Sequence, residues 1–408
     1  MNILFLSLSD LKNLENRGIY PDLLNAFAQR GHKVYIVSPF QRRTGAKPCL
    51  LRPCENVTIL RVKIGNTTKT NLIEKGISTL TLEYLVKRAI RKNFSDVRFD
   101  LVIYPTPPIT FCGAVSYIKK RDGATAYLML KDIFPQNSLD LEMLTKNGVK
   151  GLVYRVFRKK EKKLYAISDY IGCMSPANVQ YLLDHEPDLD PQKLSLCPNA
   201  IEIHDEVLRE DEKQRMRKKY SLPIDSKILL YGGNIGKPQG VDFILRCMKK
   251  LKERKNVCVL VVGSGTEYHK LQEYREKEQQ ENLILMREVS PADFDALTAC
   301  CDVGMVFLDH RFTVPNVPSR ILSYMQAGIP LLTATDPVTD LRQIVTENGF
   351  GLCCDSTNEN EFVRCVDRLL ESDLKEMGER GRVYLQKEYD VQKVCDQILQ
   401  TVENGVRV

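Results

Sequence analysis

The run Tyr231-Gly-Gly-Asn-Ile-Gly-Lys-Pro-Gln-Gly240 carries the residue types from which a phosphate-binding turn is made. It follows the apolar KILLY and precedes the helical pattern VDFILRCMKKL. Glycines let a backbone approach a ligand closely. A helix start offers unpaired N–H groups and a partial positive charge to an anion. Gly233, Asn234 and Gly236 are therefore candidate contacts, and Lys237 can bring an ammonium to the same oxygens. The spacing is not that of a P-loop, since no Gly-Lys-Ser/Thr follows. Strand-to-helix turns are also glycine-rich for geometry alone, and that alternative stands beside the functional one.

Three further pieces fall at the ends of later apolar runs. Gly263 and Gly265 close one, Arg287 and Val289 follow another, and Val314-Pro-Asn-Val-Pro-Ser-Arg320 leads into ILSYMQAG. Pro318 suits a first helical turn, where its missing N–H costs nothing. Ser319, Arg320 and the amides around them form a second candidate anion site. Two helix starts, each with a cation, match a diphosphate better than a single phosphate. Alone, Arg320 reads equally well as a surface guanidinium. In the first half, Arg17-Gly18 opens the first long helix, and Lys131-Asp132-Ile-Phe-Pro135 follows TAYLML. An acid, a base and a helix-breaking proline at a strand tip mark a functional loop; the plainer alternative is Asp132 capping the next helix. Asp188-Leu-Asp190 has the form of a metal-binding triplet but sits in HEPDLDPQK, which reads as a solvated turn, so no metal site is assigned.

The elements that must position these groups alternate along the chain. Strand-like Asn2–Leu8, Lys33–Val37, Leu101–Tyr104, Thr125–Leu130, Tyr170–Met174 and Lys193–Cys197 are separated by helical stretches such as Ile19–Arg30. A pause from Pro198 to Pro223 precedes a second series: KILLYGG, VCVLVVGSG, NLILM, DVGMVFL and IPLLT. Apolar runs without alternation mean strands buried on both faces, hence parallel sheets covered by helices. The fold class is α/β: two facing Rossmann-like, doubly wound parallel-sheet domains with a C-terminal helix, and ligand bound beyond the strands' carboxyl ends. The expected division is 1–200, a linker at 201–225, 226–382, and a tail helix at 383–408 that packs back on the first domain. The 408 residues, 43% hydrophobic and 27% charged, fit a soluble globular chain, and +7 permits an acidic partner without demanding one. No run approaches the roughly 18 apolar residues of a membrane span, and MNILFLSLSDLKN reads as a first strand rather than a signal peptide. The thirteen cysteines form no Cys-x-x-Cys pair and read as reduced, small hydrophobes of a cytoplasmic protein.

Together these residues resemble the retaining glycosyltransferases of the GT-B fold, family four in the usual sugar-transferase classification. Within it the chain looks most like transferases of bacterial O-antigen and capsule assembly, such as N-acetyl-L-fucosaminyltransferases. Arg30-Gly-His-Lys-Val34, Ser175-Pro176, Pro198-Asn-Ala200 and Pro318-Ser-Arg320 match landmarks of the subgroup, and Lys131-Asp-Ile-Phe-Pro135 resembles its Arg-Asp-Leu-Trp-Pro. Gly233-Asn-Ile-Gly-Lys237 stands where the family has its diphosphate-binding residues. One departure matters. Aligning Met325-Gln-Ala-Gly-Ile-Pro330 on the family pattern puts Ser323 and Pro315 where two glutamates stand, the second of which binds the nucleotide's ribose. A serine hydroxyl cannot accept two ribose hydrogen bonds as a carboxylate can.

The resemblance implies transfer of a hexosyl group from a nucleoside-diphosphate sugar, a UDP-sugar, with retention and without metal or other cofactor. Lys237 and Arg320 would stabilise the departing diphosphate, Gly18, Gly263, Gly265, Arg287, Val289 and Ser323 would join the donor site, and Lys131 and Asp132 would position the reacting groups. The implied acceptor is a saccharide on a polyprenyl diphosphate at the inner membrane face, with no nucleic acid as partner. Lys146–Lys163 interleaves basic and apolar residues, as does Val86–Lys92, and such a helix can lie on an anionic membrane. Equally, its apolar side can pack on the sheet. Two other classes are open to these residues. A sugar-nucleotide 2-epimerase needs cleft histidines, and none of the five lies in the donor loops. A non-catalytic partner of another transferase fits the missing glutamates.

Overall fold

Residues 1–66, 72–204 and 208–404 are described by a computed structural model, which divides into two compact units: Met1–Glu202 with Val391–Val408, and Ile203–Asp390. The first unit runs β1 (Asn2–Leu6), α1 (Ile19–Gln29), β2 (Lys33–Gln41), β3 (Cys49–Cys54), β4 (Val57–Ile64), α2 (Leu72–Asn93), β5 (Leu101–Pro105), α3 (Cys112–Asp122) and β6 (Thr125–Leu130). It continues through α4 (Gln136–Asp140), α5 (Gly148–Ile167), β7 (Tyr170–Cys173), α6 (Pro176–His185) and β8 (Leu194–Leu196). Its eight strands lie in the order β3-β4-β2-β1-β5-β6-β7-β8. All five residues of β5 are buried, which is why LVIYP shows no polar alternation. β3 and β4 stand outside the strand series expected from the sequence. β3 is an exposed edge strand antiparallel to β4, with Arg52 and Pro53 in it, so it lacks the apolar signature of its neighbours.

The second unit runs α7 (Glu210–Lys219), β9 (Lys227–Asn234), α8 (Val241–Leu251), β10 (Val257–Ser264), α9 (Tyr268–Glu278), β11 (Leu283–Met286), α10 (Pro291–Ala299) and β12 (Val303–Phe307). Then come α11 (Arg320–Gln326), β13 (Leu331–Thr335), α12 (Leu341–Glu347), β14 (Gly351–Asp355), α13 (Glu359–Glu371) and α14 (Leu374–Glu388). The six-stranded parallel sheet has the order β11-β10-β9-β12-β13-β14. α8 buries Val241, Ile244, Cys247, Met248 and Leu251, the stripe its 3.6-residue period dictates. Phe243, Phe307 and Phe362 pack ring on ring above that sheet.

The division differs from the one read off the sequence. The expected linker contains α7, whose Arg217 donates to the Cys300 carbonyl at 2.8 Å and pairs with Asp302 at 2.6 Å within the second unit. The expected tail helix is two helices. α14 stays with the second unit, while α15 (Val391–Asn404) adds Val391, Val394, Cys395 and Ile398 to the core of the first. Arg30 at the end of α1 clamps α15 through Asp396 at 2.8 Å and the Gln392 carbonyl at 3.0 Å.

In each sheet the strand order reverses once, between β1 and β5 and between β9 and β12. Such a switch point opens a crevice beyond the carboxyl ends of its strands, where ligands of open α/β sheets bind. In the second unit the Gly233–Gly240 turn leaves one side of the switch point, and the segment ending at Arg320 leaves the other.

Candidate functional site

Arg320 and Gly233 meet at that switch point. The Arg320 guanidinium lies over the Tyr231 ring, with Cζ 4.6 Å from its centroid. A side-chain carbon built on Gly233 would stand 3.5 Å from Arg320 Nη2, and Gly233 itself has φ of 114°. The backbone angle favours glycine here, and the guanidinium lies within contact distance of where a side chain would begin. Nη1 of Arg320 is buried and has no hydrogen-bond partner. Burial works against the charge, but the Tyr231 and Tyr324 hydroxyls beside it more than offset this and hold the guanidinium's pKa above its usual value. A buried guanidinium N–H without an acceptor is costly, and an anionic ligand supplies what is missing.

The backbone around it is clamped from two sides. Ile235 N–H donates to the Ser264 carbonyl at 2.9 Å, and the Glu267 N–H to the Ile235 carbonyl at 3.0 Å. A carbon on Gly263 would fall 1.9 Å from the Gly233 carbonyl oxygen, and one on Gly265 2.1 Å from that of Ile235. Gly263 and Gly265 are therefore there for close approach of two strand ends. The Tyr324 hydroxyl takes the Gly232 N–H at 3.0 Å, tying α11 to β9. Gln239, buried, accepts from the Gly236 N–H at 3.0 Å and the Asn234 side chain at 3.1 Å. Lys237 opens a short 3-10 turn and is exposed, on the same turn as Gly233.

Two helix starts had been expected at the anion, and the structure places them differently. α8 begins after Gly240, beyond the 3-10 turn, and Gly240 packs against Asp309, whose carboxylate oxygen would lie 3.5 Å from a carbon there. That helix start already faces a carboxylate of its own chain. Burial disfavours ionisation of Asp309, but the Arg311 fork, at 2.9 Å to each oxygen, outweighs it and holds the carboxyl below the usual range. α11 is only seven residues long; Ser319 before it is exposed and makes no capping bond. Pro318 lies just outside the helix, its carbonyl taking the Ile321 N–H at 3.3 Å. Ser323 is half-buried within α11. Arg287 stacks on Tyr268 at 4.2 Å and bonds Gln272 at 3.1 Å, so it is held by α9, and Val289 is half-buried beyond β11. Tyr231, Tyr324 and Asp309 were missed. The signals available were a tyrosine directly before Gly-Gly and the polar Asp-His-Arg after an apolar strand.

Lys131, Asp132 and Gly18 belong to the first unit. Lys131 is buried and its ammonium donates to the Cys197 carbonyl at 2.8 Å; burial lowers its pKa. This cation is committed to the backbone. Asp132 is different. The Thr106 hydroxyl accepts from the Lys131 and Asp132 N–H groups at 3.1 and 3.2 Å and donates to the Asp132 carbonyl at 2.9 Å, which fixes the turn. The carboxylate is half-buried, and burial pushes its pKa up to about 7. It does not cap α4, whose N-cap is Pro135 with no side-chain bond. It acts on Tyr20 of α1, whose pKa is raised first by burial and then by Asp132, so α1 and the β6 tip share one environment. Gly18, with φ of 152°, starts α1, but its N–H is taken by Asp22 at 3.1 Å. Asp190 accepts the Gln192 N–H at 3.0 Å as a turn cap.

α5 resolves the question left by its mixed composition. Phe157 packs on Phe134 at 5.1 Å, and Leu164, Tyr165 and Glu161 are buried. Arg158 bridges Glu161 and Glu186 beneath the helix. Val149, 82% exposed, and Leu152, 57% exposed, form with Val153 and Val156 an i, i+3, i+4, i+7 stripe on the opposite side. Lys146, Lys150, Arg155, Lys159 and Lys163 are exposed beside it. In α2, Val86 and Ile90 are buried and Lys87 and Arg91 rest on the Tyr117 ring at 5.3 and 5.8 Å, so the 86–92 segment is part of the packed surface. Among the described residues no helix is long and apolar enough to cross a membrane.

The two parallel-sheet units have the GT-B architecture. The structure superposes on that of HepE from Anabaena, solved in complex with UDP and glucose, with a TM-score of 0.69 at 12% identity over 99% of this chain and all of the other. Residues 212–384, most of the second unit, match the family model described as "Glycosyl transferases group 1". Among curated relatives, the probable glycosyltransferase WbjE of Pseudomonas aeruginosa is 23% identical over 80% of each chain. The putative colanic acid biosynthesis glycosyl transferase WcaI of Escherichia coli K12 is 22% identical over 74% of each.

Proposed function

We propose that this chain transfers a hexosyl group, including N-acetylated deoxyhexosyl, from a UDP-sugar to a saccharide acceptor in cell-surface polysaccharide assembly. The single observation that carries the reading is Arg320: a half-buried cation whose buried Nη1 has no acceptor, laid against a glycine at the switch point of a sheet. A diphosphate is the ligand that satisfies it, and Lys237 on the same turn supplies the second charge. As the sugar leaves, negative charge grows on the diphosphate, and cations already fixed in place lower the barrier without divalent metal. HepE was solved in complex with UDP and glucose, and WcaI is named for colanic acid biosynthesis, both in keeping with this reading. Asp132, half-buried and free of other bonds among the described residues, is the group that positions the acceptor hydroxyl or the sugar, with retention at the anomeric carbon.

The acceptor is a lipid-linked saccharide, the lipid a polyprenyl diphosphate, met at an anionic cytoplasmic membrane face. The support is the stripe Val149, Leu152, Val153 and Val156 with its basic flanks, the composition of a helix that lies in the headgroup region. A screen of UDP-, GDP- and dTDP-sugars for hydrolysis and thermal stabilisation tests the donor. Stabilisation by UDP-sugars that survives EDTA supports the proposal; activity abolished by EDTA and restored by magnesium or manganese refutes the metal-free mechanism. A second reading, a non-catalytic GT-B partner of another transferase, is favoured by Ser323 and Pro315 at the positions of the family's glutamates. It predicts no UDP binding at micromolar concentration.

A further inference from the structure

With Ser323 on α11, the ribose of the proposed donor lacks the carboxylate that a vicinal diol calls for. We propose that Glu288, just beyond β11 on the opposite side of the glycine turn, binds the ribose hydroxyls. The inference rests on the donor-site reading above and names the residue that completes it.

Strand register places Glu288. Gly233 and Asn234 of β9 stand opposite Gly263 and Ser264 of β10, and Val262 of β10 stands opposite Met286 of β11. Two residues beyond Met286, Glu288 accepts a hydrogen bond from the Ser264 hydroxyl at 3.2 Å. It therefore sits level with Asn234 and two strands away, about 10 Å at the spacing of neighbouring strands. That is the reach from a diphosphate held at Gly233 and Arg320 to the ribose of the same nucleotide.

The chemistry fits as well. A carboxylate accepts from both hydroxyls of a diol at once, which a lone serine cannot. Glu288 is exposed, and among the described residues its second oxygen takes no hydrogen bond, while Ser264 orients the first. Its neighbour Arg287 points away to Tyr268 and Gln272, as alternation in an extended chain requires. The other carboxylates of this rim are engaged. Asp309 is held by Arg311, and Asp242 and Glu267 pair with Lys270 at 3.0 and 2.6 Å.

The test compares UDP, 2′,3′-dideoxy-UDP and inorganic pyrophosphate by calorimetry on the full chain and on Glu288→Gln, which keeps the side chain's shape. Expected for the wild type is tighter binding of UDP than of the dideoxy analogue by about tenfold or more, the scale of one charge-assisted hydrogen bond. In Glu288→Gln this preference shrinks severalfold, through loss of UDP affinity alone, with dideoxy-UDP and pyrophosphate unchanged. An undiminished preference in Glu288→Gln overturns the assignment of Glu288 and leaves the diphosphate site standing. Equal weakening of all three ligands also overturns it, since it marks a structural role. A wild type that binds neither UDP nor pyrophosphate overturns the donor site itself and this inference with it.

Discussion

Replacing Arg320 by methionine should move stability in opposite directions with and without ligand. Methionine keeps the apolar stem against Tyr231 but removes a half-buried cation whose buried Nη1 has no partner. An unmade hydrogen bond on a buried polar group costs about 1–3 kcal/mol, and the lost cation–π contact gives back about 1 kcal/mol. The unliganded variant should therefore gain ~1 kcal/mol, a rise in Tm of about 2–4 °C for a unit of this size. With UDP bound the balance reverses. Two charge-assisted hydrogen bonds lost at about 1.5 kcal/mol each weaken Kd by roughly 100-fold. Thermal denaturation with and without UDP, backed by calorimetry, reads both numbers. If Arg320→Met melts several degrees lower without ligand and is still stabilised by UDP, the arginine is a structural residue and the reasoning fails.

Other outcomes follow from the same geometry. Gly263→Ala forces a carbon onto the Gly233 carbonyl and should cost about 1–3 kcal/mol while weakening UDP binding; a variant that binds UDP like the wild type contradicts the close-approach argument. Asp132 carries a pKa raised to about 7, so the folded state holds its proton above the pH at which the unfolded chain releases it. Wild-type stability should fall as pH rises from about 4 to 7, and Asp132→Asn should flatten that slope in pH-dependent denaturation. If the ionised carboxylate positions the acceptor, kcat/KM rises through pH 7 in the wild type and not in Asp132→Asn. Changing Leu152, Val153 and Val156 to serine should abolish flotation with anionic vesicles at low salt and leave UDP-sugar hydrolysis and melting intact; unchanged flotation contradicts the membrane role of α5.

The repeating units were legible because burial on both faces leaves its mark in local sequence: Leu101–Pro105 and Val303–Phe307 are wholly buried and wholly without charge. β3 escaped because an edge strand bears Arg52 and Pro53 and has little apolar surface to show. The division of the tail escaped for another reason. α14 and α15 are both amphipathic, and nothing local says that Val391 joins the core of the first unit. At the site, Gly233 and Arg320 were visible as residue types, but their contact needs the Tyr231 ring and the 86 residues of intervening chain to be folded. Lys131 shows the limit from the other side: a basic residue at a strand tip looks catalytic in sequence, while its ammonium is spent on the Cys197 carbonyl.

Hydrogen exchange of the wild-type chain with and without UDP tests the converging-cation site most directly. Slowed amide exchange in both 232–241 and 318–326, reproduced by pyrophosphate, is the predicted result. UDP that leaves both segments exchanging at their free rates while protecting another part of the chain would contradict it.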